Sequence, residues 1–144
     1  MASPTFLVDT NVVLFAARSD LAYGTACSNL LDAIVDGRAD GRTSTAVLEE
    51  ILHYELSGRD QDVRGIAGVA YSMLAPLLPV TDEAVRTALE LRAPTLGAND
   101  RVHVGTCRAH GIGTIVTADR GFDGIEDLHR VDPLDAPAIA ALIR

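Results

Sequence analysis

Short apolar runs alternate along this chain with longer stretches in which apolar residues recur every three or four positions. Phe6-Leu7-Val8 is typical of a short buried strand, and residues 10–18 continue with the apolar spacing of a helix. Apolar positions from Ala26 to Val35 share a second helical face, which Gly37 ends. The pattern therefore predicts a strand followed by two helices.

The middle of the chain is predicted to be mostly helical. A short second strand at residues 42–44 leads into a helix with an apolar stripe from Val47 to Leu56, capped by Ser44 or Thr45. The pattern then predicts a helix over residues 60–77, an extended segment over 78–80, and a helix over 84–91 that Thr81-Asp82-Glu83 caps.

The last third alternates clearly between helix and strand. Asn99 is predicted to cap a helix that continues through His110, and residues 114–117 and 128–131 have the composition of strands. Strands that alternate with helices favour a parallel sheet flanked by helices. We find no linker or repeat, so residues 1–144 are predicted to form a single domain.

Acidic residues follow two of the predicted strands. Asp9 comes directly after the first strand and Asp119 closely after the strand at 114–117, so both are expected at the carboxyl-end rim of the sheet, where open parallel sheets bind ligands. Asp100 shares a helical face with Val104 and Cys107, which turns it inward. Clustered carboxylates repel one another, so such a site must raise pKa values or bind a cation such as Mg²⁺ or Mn²⁺.

Each acid also has an ordinary structural interpretation. Asp9 can cap a helix, Asp100 can complement a helix dipole, and Asp119 and Asp123 can stabilise turns.

Glu49 and Glu50 flank the same apolar stripe, and periodicity does not separate them. Glu55 falls within the arc of that stripe, so either the helix ends earlier or the side chain has a partner. The four histidines form no metal-binding pattern and are interpreted as surface or satisfied core residues: His53, His103, His110 and His129.

Composition excludes several classes of protein. The 48% hydrophobic and 22% charged residues are typical of a globular chain, and no apolar run approaches the length of a membrane span. No signal peptide is recognisable, so we expect a cytoplasmic protein without a membrane partner. Cys27 and Cys107 lack metal-type spacing and are expected to be reduced, packed thiols.

Charge narrows the choice further. The net charge of −8 disfavours avid, non-specific binding to nucleic acid, and all 12 Lys and Arg positions are arginine. Without lysine, neither a receiver domain nor a phosphatase or dehalogenase of the Asp-x-Asp type can complete its site, and Asn11 stands where the second aspartate of that motif would be.

Four segments in order resemble the PIN-domain family. They are Val8-Asp9-Thr10-Asn11, residues 44–50 from Ser44 to Glu50, residues 99–105 from Asn99 to Gly105, and residues 116–122 from Val116 to Phe122. The small format is most similar to the VapC toxins of type II toxin–antitoxin modules. The resemblance implies a PIN-like three-layer α/β/α sandwich with a central, mostly parallel sheet, and the family's spacing from the serine selects Glu50 over Glu49.

That resemblance implies a Mg²⁺- or Mn²⁺-dependent endoribonuclease that hydrolyses RNA through a metal-activated water. By resemblance, the catalytic and metal-binding residues are Asp9, Glu50, Asp100 and Asp119, and the supporting residues are Asn11, Thr117 and Asp123. Arg101 and Arg120 lie near these acids in sequence and are candidate substrate contacts, although Arg101 could instead face solvent. Arg101 follows Asp100, the third acid, at a position where members of the family often have a small residue.

The family also implies partners: an RNA substrate, a cognate VapB-like antitoxin that occludes the site, and a second copy in a homodimer. Two alternatives stay open at this point. One is a non-catalytic PIN-like module that binds RNA or protein. The other is a structure-specific DNA nuclease, although the chain is short for added DNA-clamping elements.

Overall fold

A parallel sheet lies at the centre of the computed structural model, which describes residues 3–18 and 21–144. Those residues contain four strands, β1 (Thr5–Val8), β2 (Asp40–Arg42), β3 (Thr114–Val116) and β4 (His129–Val131). The strand order is β2-β1-β3-β4, and all neighbouring pairs are parallel. The chain therefore adds strands first to one side of β1 and then to the other.

Helices connect these strands. Within the described residues they are α1 (Thr10–Ala16), α2 (Ala22–Val35), α3 (Thr45–Leu56), α4 (Ile66–Leu74), α5 (Asp82–Glu90), α6 (Ala98–Ala109) and α7 (Ala136–Ala140), with short 3₁₀ turns at Gln61–Val63 and Arg120–Phe122.

Two hydrophobic cores lie on opposite faces of the sheet, because successive strand side chains point to opposite sides. Phe6 and Val8 pack with apolar residues of α1 to α4, whereas Leu7 and Ile115 pack with α6 and the segments around it. Helices thus cover both faces, and the predicted three-layer α/β/α arrangement is confirmed.

Two predicted helix caps are confirmed. The Ser44 hydroxyl accepts a hydrogen bond from the Val47 amide at 3.1 Å, and the Thr81 hydroxyl accepts one from the Ala84 amide at 3.1 Å. These bonds satisfy amides in the first turns of α3 and α5 that have no helical partner. The prediction that Asn99 caps α6 is wrong, because Gly97 occupies that position in an extended conformation and Asn99 lies inside the first turn.

Two other boundaries differ from the predictions. Strand β2 lies two residues earlier than expected, since the Thr43 hydroxyl donates to the Val8 carbonyl at 2.9 Å and Ser44 already caps α3. The single helix expected over residues 60–77 is divided into a 3₁₀ turn and α4. Gly65, with φ of 80°, lies between them in a left-handed conformation that interrupts helical hydrogen bonding.

The cysteines are packed thiols, as predicted. Cys27 and Cys107 are free and buried, and burial raises the pKa of each thiol to about 12. Neither is therefore activated as a nucleophile. Within the described residues, no helix combines the length and apolar character needed to cross a bilayer.

Candidate active site

The site is built where two neighbouring strands end. Val8 and Val116 are register partners at the carboxyl ends of β1 and β3, and the next residues are Asp9 and Thr117. Strand order reverses between β1 and β3, and clefts for ligands form at such switch points in parallel sheets. The sequence prediction for the position of Asp9 is confirmed.

A hydrogen-bond network holds the Asp9 carboxylate. The Thr117 hydroxyl donates to Asp9 Oδ2 at 2.7 Å, and the Thr10 amide donates to Asp9 Oδ1 at 2.8 Å. The Asn11 amide nitrogen lies 2.8 Å from Thr117 Oγ1 and 3.4 Å from Asp9 Oδ2. Asp9 therefore caps α1, as its ordinary interpretation proposed, and also presents a fixed, buried carboxylate to the site.

The same network extends to the turn that carries Asp119. Asn11 Oδ1 accepts from the Ala118 amide at 3.2 Å, and Thr117 Oγ1 accepts from the Asp119 amide at 3.1 Å. Asp119 Oδ1 in turn accepts from the Gly121 amide at 2.8 Å, and its side chain lies at the solvent-exposed edge. Asn11 and Thr117 thus connect the loops that follow β1 and β3.

Helix α3 contributes Glu50 rather than Glu49. Glu50 is partly buried, accepts a hydrogen bond from the Thr10 hydroxyl at 3.2 Å, and contacts the His103 ring. Glu49 is exposed, one position around the helix. The choice that the PIN-domain resemblance made between these neighbours therefore agrees with their surroundings.

Asp100 lies in the first turn of α6, partly buried and facing the other acids. Burial, together with the negative charges of Asp9 and Asp119, raises its pKa from 3.8 to about 6. Burial also raises the pKa of Asp9, although the positive charge of His103 and the Thr117 hydrogen bond oppose this effect. Raised carboxylate pKa values in a cleft are a physical mark of a functional site.

His103 is a site residue that the sequence interpretation missed. Its ring is fully buried, its Nε2 hydrogen-bonds to Glu50 Oε1, and the same nitrogen lies 3.8 Å from Asp9 Oδ1. Its Nδ1 has no hydrogen-bond partner among the described residues. Burial lowers the pKa of His103, but the Glu50 hydrogen bond and the charges of Asp9, Glu50 and Asp100 outweigh burial and raise it overall.

The interpretation of His103 as a core residue is confirmed by its burial, but the ring is only partly satisfied and its contact with the site acids was not predicted. A signal was present, because His103 comes three residues after Asp100 and so shares its helical face. The other histidines lie elsewhere: His110 hydrogen-bonds to the Pro79 carbonyl at 2.9 Å, and His53 and His129 are exposed.

Arg101 binds the loop that precedes α6. Its guanidinium donates to the carbonyl oxygens of Leu91, Ala93 and Leu96 at 2.8, 2.7 and 3.0 Å. These bonds hold the loop between α5 and α6 against the start of α6. These bonds leave some guanidinium N–H groups without a partner in the loop, and the substrate contact of Arg101 stays a prediction.

The remaining predicted residues lie on the turn after β3 and are exposed. Asp123 receives a hydrogen bond from Arg130 Nε at 2.7 Å, and this guanidinium lowers the pKa of the Asp123 carboxyl. Arg120 is exposed next to Asp119. The supporting role of Asp123 and the substrate contact of Arg120 stay predictions.

The donor set fits a hard divalent cation, because the four acids offer carboxylate oxygens, and burial together with neighbouring negative charge raises the pKa of Asp9 and Asp100. Among the described residues, no three His, Cys, Asp or Glu side chains are arranged to hold an ion as they stand. Mg²⁺ does not require such a cage, since it keeps several waters and binds through one or two carboxylates.

Comparison with known proteins identifies the fold family. The sequence pattern of the PIN domain matches residues 6–128, which is most of the chain. The chain belongs to the PIN-domain family. The match begins within β1 and ends at the residue before β4, and so includes every segment that carries an acid of the site.

This PIN domain is similar along most of its length to a curated ribonuclease. It is 30% identical over 129 residues to ribonuclease VapC13 of Mycobacterium tuberculosis, covering 87% of this chain and 98% of the relative. Two solved structures share its fold. VapBC2 from Rickettsia felis, crystallised with a promoter DNA fragment, has a TM-score of 0.70 at 18% identity, covering 89% of this chain and 98% of the other.

The second structure is VapBC-5 from Mycobacterium tuberculosis, described as a member of the VapBC family of toxin–antitoxin systems. Its TM-score is 0.59 at 21% identity, and the match covers 89% of this PIN domain and 98% of the other chain. At these identities the two structures establish the fold.

Proposed function

We propose that this PIN domain is a metal-dependent endoribonuclease of the VapC type, which hydrolyses phosphodiester bonds of RNA. The observation that carries the proposal is the buried Asp9 carboxylate, held by Thr10 and Thr117 beside three further acids. Burying and crowding carboxylates destabilises a fold unless a ligand offsets the charge. The relative from Mycobacterium tuberculosis supports the proposal. It is named a ribonuclease, and the match covers 98% of its length.

Asp9, Glu50, Asp100 and Asp119 would hold Mg²⁺ or Mn²⁺. Such a cation, when bound, lowers the pKa of water for attack on phosphorus and offsets charge on the phosphoryl oxygens. Carboxylates suit both ions, so the choice between Mg²⁺ and Mn²⁺ belongs to experiment.

The chain's own residues orient the acids. The hydrogen bonds from Thr117 and Thr10 fix Asp9 without using all of the lone pairs of its oxygens. The Thr10 hydroxyl and His103 each bind a different oxygen of Glu50, which fixes the plane of that carboxylate. A positive charge on His103 also reduces repulsion among Asp9, Glu50 and Asp100.

A decisive test compares wild type with Asp9→Asn on total cellular RNA in Mg²⁺, Mn²⁺ or EDTA, with sequencing of the fragment ends. We expect discrete, metal-dependent cuts by wild type and at least a hundredfold slower cleavage by the variant, since a catalytic metal ligand is lost (about 10²-fold or more). The matched control is Asp32→Asn, which changes an exposed aspartate of α2 and should cleave like wild type.

Cleavage that persists in EDTA or in Asp9→Asn would contradict the proposal. Binding of RNA or protein without cleavage in any metal would instead support the non-catalytic module. Cutting of DNA but not RNA would favour the DNA nuclease.

We also infer a protein inhibitor, because VapBC-5, which shares this fold, is described as belonging to a toxin–antitoxin family. A VapB-like antitoxin is expected to occlude the acidic site and to prevent cleavage when it is co-purified with this chain. Homodimer formation and the single domain over residues 1–144 are further parts of the proposal, and size measurement of the purified chain tests the first.

A further inference from the structure

A cavity of about 510 Å³ adjoins the acidic site. This volume is within the range of ligand pockets in proteins. Thr10 and Glu50, which belong to the acidic site, also line the cavity. A strand of RNA with one phosphate at the acids would therefore have a neighbouring nucleotide within reach of this space.

One face of α3 forms a wall of the cavity. Its residues recur at helical spacing, from Ala46 through Glu50 and Tyr54 to Ser57. The lining also includes Asn99 at the start of α6 and Arg59 just beyond the end of α3. The cavity is thus a cleft between helices whose relative positions are set by the packed cores.

Tyr54 offers a fixed aromatic surface. Its hydroxyl accepts a hydrogen bond from Arg18 at 2.8 Å, and the Arg18 guanidinium is in turn paired with Asp60. These contacts restrain a partly buried ring before any ligand binds. Bases of single-stranded RNA stack on such rings, and a restrained ring loses little conformational entropy when a base binds.

Three polar side chains around Tyr54 have no partner of their own. Within the described part of the chain, the side chains of His53, Arg59 and Asn99 make no hydrogen bond or ion pair. An imidazole can stack on the face of a base, and a guanidinium can bind a phosphate. An amide can hydrogen-bond to the edge of a base. Arg59 supplies a positive charge to a wall that also carries the carboxylates of Glu49 and Glu50.

We propose that this cavity is a subsite for one nucleotide of single-stranded RNA next to the scissile phosphate. The base lies against Tyr54, Asn99 binds the base edge, and Arg59 binds the next phosphate. This inference rests on the proposed ribonuclease function, and it locates part of the substrate selectivity on α3 and Arg59.

Arg59→Gln tests the subsite, with Arg64→Gln as its matched control. Both residues are exposed and both changes remove one positive charge, but Arg64 is not part of the cavity wall. Cleavage of a fluorescent single-stranded RNA by the full chain in Mn²⁺ gives KM and kcat. Anisotropy on an Asp9→Asn background gives binding of the same RNA without cleavage.

We expect Arg59→Gln and Asn99→Ala each to weaken RNA binding and raise KM by about tenfold, as loss of a phosphate or base contact does. Arg64→Gln should change both by less than about twofold, since it contributes only long-range charge. Because Arg59 is exposed, its variant should unfold at the wild-type temperature, which separates lost binding from lost folding.

The outcomes separate the subsite from the proposed function. If wild type cleaves RNA and Arg59→Gln and Asn99→Ala behave like Arg64→Gln, the subsite is overturned and the ribonuclease stands. If wild type cleaves no RNA in any metal, both are overturned. If the two variants lose affinity for a protein inhibitor while RNA binding is unchanged, the cavity binds protein and the RNA subsite is overturned.

Discussion

At the scale of single residues, Asp100 has a clear electrostatic cost. Its carboxyl is partly buried near Asp9 and Asp119, and this environment raises its pKa to about 6. Between pH 3.8 and 6 the folded protein therefore holds a proton that the unfolded chain releases. Stability falls as pH rises through this window, and the cost is complete above it.

Asp100→Asn should therefore stabilise the metal-free protein at pH 7.5. A pKa raised from 3.8 to about 6 corresponds to up to about 3 kcal/mol. Solvent screening of this partly exposed side chain reduces the expected gain to about 1–2 kcal/mol. Urea unfolding in EDTA at pH 7.5 and at pH 4 measures the gain, which should fall to about 0.5 kcal/mol or less at the lower pH.

Asp32→Asn is the control for this measurement, since Asp32 is exposed and should give no gain at either pH. A lower free energy of unfolding for Asp100→Asn at pH 7.5 would mean that Asp100 is stabilised by its neighbours, contrary to the charge argument.

The sequence predicted the role of a residue only where a recognisable motif contained that residue. Asp9 was located from its place after a strand, whereas Glu50 needed the family resemblance because Glu49 has equivalent periodicity. The partner of Glu55 could not be predicted, because its carboxylate accepts from the Ala67 amide at 2.9 Å on another helix. His103 was missed because its partners, Glu50 and Asp9, are more than 50 residues away along the chain.

At the scale of elements, α6 carries both Asp100 and His103, and its position depends on a close approach to α5. A Cβ atom at Gly105 would lie 2.1 Å from the carbonyl oxygen of Ala84. Only glycine permits this contact, since backbone atoms cannot move aside as the end of a side chain can. The packing of α5 against α6 therefore sets where α6 presents its site residues.

Gly105→Ala should destabilise the fold by about 3 kcal/mol, because the added methyl group forces two packed helices apart. Gly68→Ala is the matched control: Gly68 lies inside α4, and its Cβ would meet no atom within 4 Å. That change should stabilise the fold by about 0.5–1 kcal/mol through helix propensity. Chemical unfolding of both variants in EDTA tests the pair, and equal effects of the two would refute the close-contact argument.

The elements themselves were largely predictable, since apolar periodicity reports which face of a segment is buried. Boundaries were less so. The pattern extends across Gly65, where the left-handed backbone interrupts the helix, and it places β2 at residues whose side chains instead bond to β1 and cap α3. Such tertiary hydrogen bonds leave no periodic signal.

At the scale of the whole molecule, the clustered acids of the site contribute to a net charge of −8. Leu7 and Val8 are adjacent yet belong to opposite cores, and Asp9 follows them directly. The site thus directly follows β1, the strand whose side chains pack into both cores. Any ligand that offsets its charge should therefore stabilise the entire fold and not only a loop.

Mn²⁺ should raise the unfolding temperature of wild type at pH 7.5. Saturation at about 100 times the dissociation constant adds about 2.7 kcal/mol, which is roughly 5–10 °C for a domain of this size. The shift should disappear in Asp9→Asn, remain in Asp32→Asn, and shrink as pH falls below about 6, where Asp100 becomes protonated. A full shift in Asp9→Asn, or one that persists at pH 4, would place the cation outside these acids, since neither result is compatible with ligands that must be ionised to bind it.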